Sequence, residues 1–262
     1  MPTPASSEHP RPGRRRLRRC WEEDRPGFGL WASIPSPLTA ELAVAAGFDY
    51  VCVDLQHGAA DEMTMVAMLT AIEGAGATPL VRVAYNEPWM INRVLDLGAA
   101  GVIVPLVNSA EEARRAVSAC HYPPQGQRSY GPVRAHLVVG TGDPERLAAD
   151  ALCFVMVETR HGLDNVEEIA ATKGLTGVYI GPADLSLGLG REPGHGGDVL
   201  ENAIARVREA CAAAGIVAGM HCTGGGAEAR ARVQAGFRMI TVGVDGSFFQ
   251  ARIADELAVA RG

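Results

Sequence analysis

The chain has 262 residues, of which 47% are hydrophobic and 21% are charged, and its net charge is −6. This composition excludes a chain that is disordered throughout, and no apolar run approaches the roughly 20 residues that a membrane span requires. The acidic balance argues against nucleic acid as the main partner, and we expect no membrane partner either.

Positive charge is concentrated at the start of the chain. Residues 1–26 hold seven arginines and four acidic residues, a balance of +3 that leaves −9 on the remainder. The arginine run at 14–19 resembles the beginning of an export signal, but acidic residues follow it where an apolar segment is required. We therefore expect a basic, flexible tail and a short helix over residues 1–26, with a nucleic-acid arm as the alternative, and one domain over residues 27–262.

Two residue types narrow the chemistry. The six cysteines include no C-x-x-C pair, which is typical of reduced thiols in a cytoplasmic protein and favours neither a zinc knuckle nor a disulfide framework. We therefore expect a cytoplasmic location. The chain contains a single lysine, Lys173, so any reaction that needs a lysine amine has one candidate.

From residue 28 onward, short apolar runs alternate with helix-like segments. Each run is bounded by Gly, Pro or polar residues, which is typical of strands buried on both faces of a parallel sheet. Glycines such as Gly47, Gly98 and Gly215 mark helix ends. The predicted strands span residues 28–34, 50–55, 79–83, 101–107, 153–158, 177–181, 216–221 and 239–245.

Eight successive strand–helix units predict an α/β fold, a TIM (β/α)8 barrel. The alternative is an open doubly wound sheet, but the turn at residues 34–37 lacks the Gly-rich fingerprint of that fold. Three glycines at 224–226 follow the seventh strand and indicate either a turn or a phosphate cradle. In a TIM barrel the active site lies at the C-terminal ends of the strands, so polar residues at those ends are the candidates.

Two acidic residues, Glu158 and Asp184, end consecutive strands. Neighbouring parallel strands lie about 4.8 Å apart, so the two carboxylates can converge on one cation. Two carboxylates, with the remaining positions left to water and substrate, are typical of a Mg²⁺ or Mn²⁺ site. In the alternative interpretation, Asp184 caps the helix that follows it.

A histidine and an arginine complete the set of strand-end candidates. His57 follows the second strand, and a histidine in such a loop is suited to general base catalysis or to a structural hydrogen bond. Arg82 interrupts an apolar strand, where a permanent cation must be paired or must meet an anion. Either a developing oxyanion or a salt bridge with Asp54 or Glu158 would satisfy it.

Six short motifs follow one another along the chain. They are Gly29-Leu30-Trp31, Asp54-x-Gln56-His57, Val81-Arg82, Tyr122-Pro123-Pro124-x-Gly126-x-Arg128, Val157-Glu158-Thr159 and Gly181-Pro182-Ala183-Asp184-Leu185-Ser186. In type and order they resemble those of the HpcH/HpaI family of metal-dependent (class II) pyruvate aldolases, which are related to the citrate-lyase β-type enzymes. The resemblance covers about residues 17–260. It implies the TIM barrel and a homo-oligomer, typically a hexamer, with the last helix exchanged between subunits.

The resemblance also implies how metal and substrate are held. Glu158 and Asp184 would bind a divalent ion, Mg²⁺, Mn²⁺ or Co²⁺. The backbone of Gly181, Pro182 and Ala183 would bind the pyruvate carboxylate, because N–H groups at the start of a helix attract anions.

Catalytic roles follow from the same resemblance. Arg82 would stabilise the enolate oxygen, and His57 would act on the proton of the C4 hydroxyl. The acidic partner of this histidine in the family corresponds to Asp96, near the end of the third helix of the repeat. Because that position is at the bottom of its own barrel, Asp96 would reach a His57 only in a neighbouring subunit.

Trp31 and Gln56 are further expected substrate contacts, and two positions depart from the family pattern. The family commonly has Glu where Gln56 stands, which removes one negative charge near the metal. It often has Gln where Met156 stands, and a methionine cannot donate the corresponding hydrogen bond. These departures bear on substrate preference more than on the reaction class.

Residues and resemblance together predict a metal-dependent aldolase. It would cleave a 4-hydroxy-2-oxo acid, of the 4-hydroxy-2-oxoheptanedioate or 2-keto-3-deoxy sugar acid type, reversibly to pyruvate and an aldehyde. One alternative is a citramalyl- or malyl-CoA-type lyase on the same barrel, although the acidic body with one lysine offers no basic site for adenosine phosphate. Another is a catalytically silent oligomeric binding protein, for which the substitutions at 56 and 156 leave room.

Overall fold

The computed structural model describes residues 10–262, and these form a closed barrel of eight parallel strands in sequential order. The predicted TIM barrel is therefore confirmed. Every residue from the second strand to the sixth is buried, as expected where helices cover the outer face of a parallel sheet. The strands are β1 (Gly27–Ala32), β2 (Tyr50–Asp54), β3 (Thr78–Arg82), β4 (Gly101–Val104), β5 (Leu152–Val157), β6 (Gly177–Ile180), β7 (Val217–His221) and β8 (Met239–Val244).

Gly47, Gly98 and Gly215 each lie within two residues of a helix end, as the sequence predicted. The Asp61 carboxylate accepts the Thr64 N–H at 2.7 Å at the start of one helix, and Gly76 ends that helix with a φ of 101°. A 3₁₀ turn at Pro12–Arg15 precedes the first helix. The helices are α1 (Arg16–Glu22), α2 (Pro37–Ala45), α3 (Glu62–Ala75), α4 (Pro88–Asp96), α5 (Ala110–Cys120), α6 (Ala135–Val139), α7 (Pro144–Asp150), α8 (Arg160–Asp164), α9 (Val166–Ala170), α10 (Pro182–Gly188), α11 (Gly197–Ala214), α12 (Gly225–Gln234) and α13 (Asp245–Arg261).

The barrel interior beneath the strand ends is filled by large side chains. The hydroxyls of Tyr50 and Tyr179 both hydrogen-bond the Thr241 hydroxyl, at 2.8 and 2.5 Å, so these buried polar groups satisfy one another. A side chain at Gly29 would begin 2.1 Å from the Tyr50 ring, which explains a glycine at this point of β1. This packing provides a rigid floor for whatever binds above it.

The N-terminal segment packs on the bottom of the barrel. Leu17 of α1 is fully buried in the interior cluster, and its N–H donates to the Thr78 hydroxyl at 2.9 Å, at the start of β3. Arg14 is buried and forms an ion pair with Asp150, so its side chain is not solvated as a tail residue would be. Residues 1–9 of the expected tail lie outside the described residues, and the division at residue 26 stays a prediction.

The last helix, α13, contrasts with the others in its exposure. Of its residues only Asp245 is buried, while Phe248, Phe249 and Ile253 are between 45% and 65% exposed. An apolar helix face left open to solvent is costly, and such faces usually mark a site of association. No helix within residues 10–262 is both long enough and apolar enough to cross a membrane.

Candidate active site

A cavity of about 320 Å³ opens at the C-terminal ends of the strands. It gathers residues from β1, β2, β3, β5, β6, β7 and β8 or from the loops that follow them. Larger depressions, of about 480 and 740 Å³, lie outside the helix layer and collect no strand ends. Predicted site residues that line the cavity are Trp31, His57, Arg82, Gly181, Pro182, Ala183 and Asp184.

Arg82 and Asp54 form a buried pair on one wall. Asp54 lies opposite Arg82 in the register of β2 and β3. Its carboxylate accepts Nε of Arg82 at 2.8 Å and Nη2 at 2.5 Å. Burial alone raises the pKa of Asp54, but the bonds and charge of Arg82 outweigh burial and leave the pKa below its ordinary value. The sequence predicted either Asp54 or Glu158 as the salt-bridge partner of Arg82, and in the structure the partner is Asp54.

Trp31 holds this pair from below. Its indole N–H donates to Oδ2 of Asp54 at 3.1 Å, and the Arg82 guanidinium lies 4.9 Å from its ring centroid. The ring also stacks on Tyr179, at 5.6 Å between centroids. An arginine over an indole face is favoured electrostatically, most of all where water is excluded. Trp31 therefore positions the cation as well as forming the cavity floor.

His57 is exposed at the rim of the cavity. Its backbone N–H donates to Oδ1 of Asp54 at 3.3 Å, as does that of Gln56 at 2.9 Å, so the loop folds back over the strand end. Within residues 10–262 no hydrogen bond reaches either ring nitrogen of His57. Both ring nitrogens are therefore available to hydrogen-bond a bound molecule. Gln56 contributes its backbone here and does not line the cavity.

Glu158 lies deep beside the cavity, with 2% of its surface exposed. Its Oε1 accepts the Leu106 N–H at 2.7 Å, and Oε2 has no hydrogen bond within residues 10–262. Burial, together with the negative charge of Asp184, raises the pKa of Glu158 to about 7. A side chain at Gly181 would begin 2.7 Å from Oε2, so glycine leaves this oxygen accessible.

Asp184 stands in the first turn of α10, whose N-cap residue is Gly181. The alternative in which Asp184 caps the helix is therefore wrong, because the helix starts two residues earlier, at Pro182, where proline is favoured. Asp184 is exposed and lines the cavity. The first turn of α10 thus places Asp184 at the cavity, next to the end of β5 that carries Glu158.

These two carboxylates fit a hard divalent cation. The Glu158 carboxylate is buried, has one oxygen without a hydrogen bond, and is disfavoured in its charged form by the negative charge of Asp184. A cation between the two carboxylates would stabilise the charged form of both. Among residues 10–262 no group of three or more His, Cys, Asp or Glu side chains is arranged to hold a metal. Two carboxylates are compatible with a Mg²⁺-type ion, because such ions commonly take their remaining oxygens from water and substrate.

Asp96 is the one predicted catalytic residue that lies well away from the cavity. It ends α4, and its Oδ1 accepts Nη2 of Arg128 at 2.7 Å. Burial raises the pKa of Asp96 despite this arginine. Within one chain it reaches neither the cavity nor His57.

Several residues that line the cavity were not predicted from the sequence. His221 is the last residue of β7 and lines the cavity. Thr223 and Ser33 line the cavity as well. The Ser33 hydroxyl donates to the Asp245 carboxylate at 2.7 Å, which ties the β1 loop to the end of β8. His221 could have been found by the rule applied to the other strands, since a polar residue closes this apolar run as well.

The glycines at 224–226 do not form a phosphate cradle. Gly224 precedes α12, and the Glu228 carboxylate accepts the N–H groups of Thr223 and Gly224 at 3.0 and 2.7 Å. A carboxylate therefore occupies the donors that a phosphate would need, and its charge repels an anion. This arrangement removes one candidate for binding an adenosine phosphate.

Comparison with known proteins places the chain among enzymes of one family. The model of the HpcH/HpaI aldolase/citrate lyase family matches residues 27–251. The chain belongs to this family. It is 40% identical to a hydroxypyruvate/pyruvate aldolase of Rhizorhabdus wittichii over 94% of this chain and 98% of that protein. It is 38% identical to a 4-hydroxy-2-oxo-heptane-1,7-dioate aldolase of Salmonella typhimurium over 91% of each chain.

Solved structures agree with this assignment. A family member from Burkholderia cenocepacia superimposes with a TM-score of 0.84 at 33% identity, over 94% of this chain and 98% of that one. The predicted family is thus confirmed, and with it an enzyme of the carbon–carbon lyase class. Its substrates are small molecules.

Proposed function

We propose that this HpcH/HpaI family member is a metal-dependent aldolase that cleaves 4-hydroxy-2-oxo acids reversibly to pyruvate and an aldehyde. The observation that carries the proposal is the convergence of a buried carboxylate, Glu158, a fixed cation, Arg82, and an uncommitted imidazole, His57, at one end of the barrel. Aldol cleavage needs these three functions: a metal ligand, a donor for enolate charge and a base for the hydroxyl.

Glu158 and Asp184 would hold the divalent ion, with Mg²⁺, Mn²⁺ and Co²⁺ as the candidates. When bound, such an ion supplies Lewis acidity towards the 2-oxo group. The 2-oxo acid carboxylate would lie at the start of α10, where the first N–H groups are not used inside the helix. Pro182 has no N–H, so Ala183 and Asp184 provide the donors.

Arg82 would donate to the oxygen on which the enolate charge develops. Its Nε and Nη2 bond Asp54, which leaves Nη1 for the substrate. Because the guanidinium is already fixed by Asp54 and Trp31, little reorganisation accompanies the reaction. His57 would take the proton of the C4 hydroxyl as the C3–C4 bond breaks, and would return a proton in the synthetic direction.

The assembly would be a homo-oligomer, a hexamer by family resemblance. The exposed apolar face of α13 supports exchange of this helix between subunits, because burial against a neighbour would remove Phe248 and Phe249 from water. Asp96 would then approach the His57 of a neighbouring subunit. Sedimentation of the purified protein distinguishes a hexamer from a monomer.

Pyruvate release from 4-hydroxy-2-oxo acids, measured in a coupled assay with and without a chelator, tests the proposed reaction. We expect metal-dependent release, and aldol product from pyruvate plus aldehyde in the reverse direction. Turnover of citramalyl-CoA or malyl-CoA without turnover of the free acids would instead establish the CoA-ester lyase alternative. Absence of turnover with every one of these substrates would contradict the aldolase and favour the silent binding protein.

A further inference from the structure

The end of β7 carries a histidine, His221, that the proposed aldol chemistry does not use. β7 spans Val217–His221, so His221 is the last residue before the barrel mouth. Gly219, two residues earlier, lies close to the ring of Tyr179 inside the barrel, and alternate residues of a strand share a face. The imidazole therefore enters the cavity that also contains His57 and Arg82.

Packing fixes the position of this ring. The imidazole contacts the Trp31 ring edge to face, with 5.3 Å between centroids and 82° between planes. Trp31 is itself held by its hydrogen bond to Asp54 and by its stack on Tyr179. Aromatic pairs in this geometry are favourable, so His221 is held in place before any ligand arrives.

The polar atoms of the ring are nevertheless uncommitted. Within residues 10–262 no hydrogen bond reaches either ring nitrogen of His221. His221 is half-buried and lines the cavity, so its ring nitrogens are open to a molecule bound there. The Thr223 hydroxyl, on the same side of the cavity, also has no hydrogen bond within the described part of the chain. Two neutral hydrogen-bonding groups thus stand together at the end of β7.

The surroundings of His221 keep it uncharged. Burial, and after it the positive charge of Arg82, lowers the pKa of His221 to about 4, although Asp54 and Glu228 act in the opposite sense. A neutral imidazole offers one donor and one acceptor. This pair matches a hydroxyl group, which also donates and accepts, whereas a carboxylate could use only the donor.

We propose that His221, with Thr223 beside it, determines specificity by hydrogen-bonding a hydroxyl group of the substrate. The inference rests on the proposed aldol reaction and adds the substrate class: hydroxylated substrates are preferred over alkyl analogues of the same size. The hydroxyl belongs either to the aldehyde or to C3 of the 2-oxo acid. Both sources share the same chemistry at His221.

Two matched substrate pairs distinguish the sources. Glycolaldehyde against propanal, each with pyruvate, tests a hydroxyl on the aldehyde. Hydroxypyruvate against 2-oxobutanoate, each with formaldehyde, tests a hydroxyl on the 2-oxo acid. We expect kcat/KM to favour the hydroxylated member of one pair by about fivefold, the fold-change that corresponds to the roughly 1 kcal/mol of one hydrogen bond.

The measured quantity is the ratio of kcat/KM for the hydroxylated substrate to kcat/KM for its alkyl analogue. His221→Leu should bring this ratio close to one. His221→Gln keeps a donor and an acceptor, so its ratio should lie between that of His221→Leu and that of the wild type. Thr223→Val should lower the ratio less than His221→Leu does. If His221→Leu does not fold, Thr223→Val still tests the proposal. His161→Leu is the matched control, because His161 is exposed on α8 and does not line the cavity. Its ratio should equal that of the wild type.

The ratio is measured within each variant, so a change in folded fraction or in metal content cancels. Ratios near one in both wild-type pairs would overturn the inference while leaving the aldolase intact. Wild-type ratios retained in both His221→Leu and Thr223→Val would overturn it as well. A wild-type enzyme that forms no aldol product would overturn the proposed function and this inference together.

Discussion

The guanidinium of Arg82 meets the carboxylate of Asp54 side on, with Nε to Oδ1 at 2.8 Å and Nη2 to Oδ2 at 2.5 Å. Both side chains are buried, so solvent screens the pair only weakly. Among the described residues, Arg82 is the only lysine or arginine that lines the cavity. The bidentate bond therefore fixes the single permanent cation available to the reaction and leaves one of its nitrogens free.

Arg82→Ala should suppress both aldol cleavage and exchange of the pyruvate methyl protons with deuterated water. The two processes share the enolate, and loss of one oxyanion donor typically costs about 10²–10³ in rate. Arg82→Lys should recover activity only in part, because an ammonium lacks the planar fork that bonds Asp54 at two points. Proton NMR of the methyl signal measures exchange. A wild-type exchange rate in Arg82→Ala would reduce Arg82 to a structural salt-bridge residue.

His57→Ala should depress cleavage more than it depresses methyl exchange. Only cleavage and its reversal move the C4 hydroxyl proton, for which His57 is the proposed base. The comparison uses the coupled assay for released pyruvate beside the NMR exchange rate, on the same preparation. His161→Ala serves as the control, since that imidazole lies on the surface of α8. Equal loss of both rates in His57→Ala would contradict the assignment.

Removal of divalent metal should abolish cleavage, and added Mg²⁺, Mn²⁺ or Co²⁺ should restore it. With two protein ligands, the ion exchanges readily, so a chelator suffices. Glu158→Gln should lose the restored activity and also the rise in melting temperature caused by Mn²⁺, which in the wild type reflects about 2.7 kcal/mol at 100 times Kd. Glu168→Gln, on the exposed side of α9, should retain both. Full activity of the metal-free enzyme would refute the class II mechanism.

Lysine chemistry should play no part. A Schiff base with pyruvate requires an amine in the cavity, and the only lysine, Lys173, lies between α9 and the start of β6, at the opposite end of the barrel. Borohydride with pyruvate should trap no adduct detectable by mass spectrometry, and Lys173→Ala should stay active. A pyruvyl group reduced onto Lys173 would contradict this mechanism.

Much of the site could be predicted because its residues occupy strand ends. Glu158, Asp184, Arg82 and His57 each follow or close an apolar run, and in a parallel barrel all such ends meet at one face. The burial of Arg14 could not be predicted, because its partner Asp150 lies 136 residues away and nothing local signals the pair.

The region between the fourth and fifth strands was also unpredictable from local pattern. α6 and α7 have only five and seven residues, too short to be stable alone. They are held by a small apolar cluster that includes Tyr122, Val138 and Leu147. Strand four ends at Val104, three residues before the predicted end. Pro105 follows it and has no N–H for the sheet, and the Leu106 N–H donates to the Glu158 carboxylate.

Acid should destabilise the protein through His221. Its pKa is about 4 in the folded chain, lowered by burial and by Arg82, against an ordinary value of about 6.5 when unfolded. Between these values the unfolded state binds a proton that the folded state does not, so the free energy of unfolding rises with pH across this window. The penalty is absent above about pH 6.5 and grows, to a few kcal/mol at most, as pH falls towards 4.

Denaturant unfolding of the wild type and of His221→Leu at pH 4.5, 5.5, 6.5 and 7.5 measures this contribution. Carboxylates of the fold also titrate in this range, so the informative quantity is the difference between the two proteins at each pH. Charged and titratable groups around the imidazole, Arg82, Asp54 and Glu228 among them, are present in both. We expect His221→Leu to gain stability relative to the wild type as pH falls. A constant difference for His221→Leu would mean that His221 accepts a proton as readily in the folded chain as in the unfolded one.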